Sequence, residues 1–153
     1  MIRLGLLTTG LLLLTAPLPR GPAAPLSSGP AAPLPSLAEV GDSARASWQR
    51  RDLRAFLAPA GASRVVVTLP AAGPSAPITA EQARAMLLSY VQGTQEVEAI
   101  LRRAEVVDSA QGYVELSRRY RVVGIPGERE SVILLGYRRG RSAWVLTEVR
   151  IAS

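Results

Sequence analysis

Residues 131–151 read SVILLGYRRGRSAWVLTEVRI, two apolar runs on either side of Arg139-Gly140. In the first run Val132 and Leu134 fall on one face of an extended chain, and Ile133, Leu135 and Tyr137 fall on the other. Period two with β-branched residues predicts strands, and the short polar break predicts a hairpin. The same period runs back to Gln95, so four strands are expected, at 96–107, 112–123, 130–138 and 142–151. The turns between them fall at Asp108–Gln111, Pro126-Gly127 and Arg139-Gly140. Short connections force antiparallel neighbours, hence a meander. The strand near Glu130 is apolar on both faces, whereas a half-solvated sheet alternates. Its second face is therefore expected to be covered, by the curvature of the sheet or by a second subunit.

Upstream the period is helical. Ser36 with Glu39 forms a capping box ahead of Leu37, Val40, Ala44 and Trp48, which predicts a helix over about 37–50 with Arg45 and Arg50-Arg51 on its wet side. Asp52 is placed to cap a short helix carrying Leu53, Phe56 and Leu57, stopped by Pro59 and Gly61. RVVVTL at 64–69 reads as a strand and 71–77 as a loop. Thr79 caps a helix from Ala80 to about Gln92 whose buried stripe is Ala83, Met86, Leu87 and Tyr90, with Gly93 as its stop. The expected fold class is α+β, three N-terminal helices on one face of a curved antiparallel sheet that ends in the meander.

The N-terminal third has a different character. Arg3 and the apolar run Leu4–Leu14 resemble a secretory signal, with Gly21 and Ala23 before a cut at Ala23/Ala24. Residues 17–35 hold seven of the twelve prolines and read as an extended linker. The expected organisation is therefore signal peptide 1–23, linker 24–35 and one domain over 36–153, exported to a bacterial periplasm or the exterior without a stable membrane anchor. Removing Arg3 and Arg20 lowers the formal charge from +6 to +4.

Composition narrows the chemistry. The 153 residues include no His, Cys, Lys or Asn, so all 18 basic residues are Arg. Zinc sites of the usual kind, Ser-His and Cys-His nucleophiles, disulfides, Schiff bases and the P-loop are excluded. No metal and no cofactor is implied. The Arg residues are not interleaved with aromatics, so no nucleic-acid partner is expected.

The order of elements resembles the cone of the nuclear-transport-factor-2-like (NTF2-like, cystatin-like) superfamily, which includes ketosteroid isomerases and SnoaL-type cyclases. Within it the pattern is similar to secreted bacterial proteins of the DUF4783 type. The segments carrying the resemblance are ASWQRRDLRAFLAPAG at 46–61, RVVVTLP at 64–70, ITAEQARAMLLSYV at 78–91 and the closing hairpin at 131–151. Enzymes of this superfamily hold acid–base residues inside the cone, and the resemblance implies that any site lies there.

Three carboxylates suggest themselves for acid–base work. Asp52 is more simply a helix cap, while Glu115 and Glu148 are expected on a wet sheet face paired with Arg119 or Arg150. No catalytic residue is therefore assigned. In each Arg-Arg pair on the meander one guanidinium points to each face, so Arg118, near Tyr120, is placed to bind a carboxylate or phosphate unless it snorkels to water. Trp48, Phe56, Tyr90 and Trp144 are core residues that line a pocket if the cone is open. The expectation is a non-enzymatic domain binding a small amphipathic or anionic ligand through Trp48, Phe56, Tyr90, Arg118, Tyr120 and Trp144, or a protein partner, with a homodimer through the sheet. The rival is a small isomerase, dehydratase or hydrolase using a carboxylate and Tyr.

Overall fold

The structure, a computed structural model, describes residues 33–153. The stretch expected to be a signal peptide and nearly all of the expected linker lie outside them. Helix α1 spans Leu37–Gln49 and opens with the expected capping box, Ser36 accepting from the Glu39 amide while Glu39 accepts from Ser36. Helix α2, Leu53–Leu57, is capped by Asp52 and runs into a 3₁₀ turn at Ala58–Ala60. Strands β1 (Val66–Leu69) and β2 (Gly73–Pro74) follow. Helix α3, Ala80–Val91, is held by a second capping box, Thr79 with Gln82. The meander is β3 (Thr94–Val106), β4 (Gln111–Val122), β5 (Glu128–Arg139) and β6 (Trp144–Ala152).

The six strands lie in the order β2-β1-β6-β5-β4-β3. The meander is antiparallel throughout, but β1 pairs with β6 in parallel, Val67 opposite Val149. An all-antiparallel sheet was the expectation. Only short connections force that arrangement, and the chain from β1 to β6 passes through α3 and three strands, which frees the direction of pairing.

Three ladder irregularities curve the sheet, two in β3 and one between β5 and β6. The last sets Leu146 and Val149, three residues apart, both into the core. The concave face carries Val67, Val114, Leu116, Ile133, Leu135 and Ile151, all buried under the helices. Two glycines allow the helix that close: a Cβ at Gly41 would stand 3.0 Å from Leu101, and one at Gly112 would stand 2.6 Å from Leu37. On the convex face Val132 and Leu134 are half-buried. Arg51 is exposed, as expected, and just past α1 takes a left-handed φ of 58° while its side chain donates to the Val91 carbonyl at the end of α3. A cation there complements the negative end of the helix.

Tyr137 is buried with no protein partner for its hydroxyl. Burial pushes its phenol above the ordinary value. The folded state therefore favours the neutral ring, a contribution fully present below the unfolded value of roughly 10 and lost as pH rises beyond it. With no Lys, His or Cys in the chain, little else titrates between neutrality and that point. Tyr137→Phe is expected to raise stability at pH 7 by about 1 kcal/mol, by removing an unpaired buried hydroxyl, and to reduce the loss between pH 9 and 11. Thermal denaturation at the three pH values checks this. A destabilised variant with unchanged alkaline sensitivity contradicts it.

Candidate functional site

Strand β4 alternates, Val114, Leu116 and Arg118 pointing into the concave face and Arg119 out. The apolar row thus ends on a guanidinium. Arg118 has no exposed surface, and the side chain facing it, Glu96, is 4% exposed. Arg118 Nε donates to Glu96 Oε1 at 2.6 Å, and Nη2 lies 2.6 Å from the same oxygen. Nη2 also donates to Thr94 Oγ1 at 3.0 Å, and that hydroxyl donates to the Val91 carbonyl at the end of α3.

Three rings surround the cation. Its central carbon lies 4.0 Å from the centroid of Tyr120, 5.4 Å from Trp48 and 5.5 Å from Tyr90, all within cation–π reach. Phe56 meets Trp48 edge-on at 5.0 Å. Four buried polar atoms here lack a protein hydrogen-bond partner: Arg118 Nη1, Glu96 Oε2, Trp48 Nε1 and Oγ of Ser131, the residue opposite Arg118 on β5. Burial raises the Tyr90 phenol above its ordinary value, with the charge of Arg118 pulling the other way. Tyr90 also lines an apolar hollow of about 340 Å³ with Leu69, Pro70 and Met86.

Of the six residues named from sequence, Trp48, Phe56, Tyr90, Arg118 and Tyr120 come together. Trp144 does not join them. It stands at the start of β6, where its indole N–H donates to the Pro35 carbonyl at 3.2 Å, and with Phe56 it lines a separate pocket of about 410 Å³. Snorkelling, expected of the strand arginines, describes the exposed Arg119 and Arg121 but not Arg118.

None of the three carboxylates named from sequence enters the cone. Asp52 accepts from the Ala55 amide. Glu148 faces outward and pairs with Arg150 at 2.7 Å, as expected. Glu115 stands between Arg103 and Leu134 on the convex face, and Arg119 bonds Glu98 and Glu128 instead of it. Four residues along one strand are roughly 13 Å apart, whereas cross-strand neighbours are about 5 Å apart, so Arg119 takes partners across the sheet. The carboxylate that does enter is Glu96. Glu96 and Glu98 should share a face, but the ladder shifts between them: Glu96 pairs with Tyr120 and Glu98 with Arg119. That bulge turns Glu96 inward, and no glycine or proline marks it in the sequence.

No protein-family model matches the chain, and no curated protein matches its sequence. Solved structures do resemble it. A DUF4783 family protein from Bacteroides uniformis superposes with a TM-score of 0.60 at 8% identity, over 73% of this chain and 94% of its own. A ketosteroid isomerase-like protein from Erwinia carotovora atroseptica gives 0.63 at 11% identity, over 75% of this chain and 91% of its own. An NTF2-like protein of unknown function from Shewanella oneidensis gives 0.52 at 10%, over 76% and 96%. The fold is thus the NTF2-like cone, as the order of elements suggested.

Removing one partner of a buried ion pair leaves an uncompensated charge and costs about 3–5 kcal/mol, whereas replacing both by apolar groups is often near neutral. Arg118→Met and Glu96→Leu are each expected to destabilise by that amount, and the double variant by about 1 kcal/mol or less. Denaturant unfolding of the cycle reads the coupling. Additive losses would show that the two side chains do not act as a pair.

Proposed function

We propose that the chain is an exported, non-enzymatic binding domain that holds a small uncharged amphipathic molecule beside Tyr90. The observation that carries this reading is a 340 Å³ apolar hollow walled by Leu69, Pro70, Met86 and Tyr90, whose ring also lies against the buried, charge-matched guanidinium of Arg118. Such a hollow is at the small end of ligand pockets, roughly 300–1,000 Å³, which combine apolar walls with a few polar anchors.

Electrostatics choose between an uncharged and an anionic ligand. The Arg118–Glu96 pair is neutral overall and Arg118 has no exposed surface, so a carboxylate entering the apolar hollow loses hydration without meeting a cation. A carbonyl or hydroxyl head carries a smaller cost. The acid–base alternative needs a carboxylate free to reach a substrate proton. Arg118 holds Glu96 through Oε1 and the unpartnered Oε2 is buried out of a substrate's reach, while Glu115 and Glu148 lie on the opposite face of the sheet. The fold alone carries no chemistry.

Met86 is one of only two methionines, so its labelled methyl reports on the hollow. 1-Octanol is expected to shift that signal saturably, and octanoate to bind at least about fivefold more weakly at pH 7. Tighter binding of octanoate would overturn the uncharged reading, and no shift with either would remove the ligand site. Export rests on Arg3 and the Leu4–Leu14 run, and the intact mass of secreted protein is expected to begin at Ala24. A secreted chain that retains residues 1–23 would contradict it.

A further inference from the structure

We infer that the pocket between α1, the 3₁₀ turn and the start of β6 is a second binding site, for an amphipathic organic cation such as an alkylammonium. It measures about 410 Å³ and is walled by Val40, Ala44, Phe56, Pro59 and Trp144. These side chains suit an alkyl tail. The polar lining decides the head group.

Each side-chain donor in that lining is already engaged. The Ser43 hydroxyl donates to the Glu39 carbonyl at 2.9 Å, and the Trp144 indole donates to the Pro35 carbonyl at 3.2 Å. What is left is an acceptor. Glu39 takes both of its hydrogen bonds, from the Ser36 amide and hydroxyl, on Oε2, which leaves Oε1 without a protein partner. Among the described residues Glu39 is also the only charged one in the lining, an acid in a chain with 18 basic residues against 12 acidic ones. Those two Ser36 hydrogen bonds hold its carboxyl below the ordinary value, so it is ionised at neutral pH. An anionic or acceptor-only head finds no donor there, whereas an ammonium finds Oε1 and two aromatic rings.

The site is exposed, and the N-terminal end of α1 opposes a cation, so the charge selection is modest. Glu39→Gln tests it cleanly, because Gln serves in a capping box as Glu does and leaves the fold in place. In NMR titrations of the purified chain, octylammonium is expected to shift the Val40 and Val145 methyls and to bind about fivefold more tightly than 1-octanol at this pocket. In the Gln variant that preference is expected to vanish with octanol binding unchanged. Equal or tighter binding of octanoate, an unaltered preference in the variant, or no shift of these methyls would each overturn the inference. A response confined to Met86 would overturn it too, while leaving the Tyr90 site standing.

Discussion

The Arg118–Glu96 pair is the constraint around which the concave face is arranged. Taking a guanidinium and a carboxylate out of water costs several kcal/mol per ion, and attraction offsets this only with good geometry and further hydrogen bonds. The surroundings supply both. Thr94 bonds the guanidinium and ties it to the end of α3, Tyr120, Trp48 and Tyr90 present ring faces, and the β3 bulge brings the carboxylate inward. Arginine suits such a place better than lysine, because a planar, weakly hydrated cation both stacks on rings and forks toward an oxygen.

The same pair fixes how Glu96 is held. One of its oxygens carries two contacts from Arg118, and the other is buried without a partner beside it. The two apolar recesses differ accordingly. The hollow beside Tyr90 is apolar and adjoins a neutralised pair, and the pocket at α1 is bordered by a carboxylate with one oxygen that no described residue bonds. The polar side chains of the molecule are limited to carboxylates, hydroxyls, amides, indoles and guanidinium groups.

Much of the fold was legible because its signals are local. Two capping boxes, the Asp52 cap, β-branched runs and short turns act within a few residues, and the helices and strands follow them closely. The pairing of β1 with β6 was not legible, since it depends on where a long excursion returns. For the site, the alternation of Arg118 and Arg119 could be read, and three of the five aromatic residues named with Arg118 lie against that cation, with Phe56 packed on one of them. Glu96 was missed because its direction depends on a bulge without Gly or Pro. Trp144 is buried, as expected of a core residue, but lies apart from the other five, because an aromatic on a strand shows how much it buries and not against which helix.

The account turns on whether the Arg118 guanidinium is sealed against Glu96, and exchange of its Nε proton measures that directly. In an NMR spectrum resolving the arginine side chains at neutral pH, the Arg118 Nε–H is expected to exchange roughly a hundredfold more slowly than those of exposed arginines such as Arg119 and Arg121. An Arg118 proton that exchanges as fast as theirs would mean that the cation meets water, and the buried pair would no longer explain the cone.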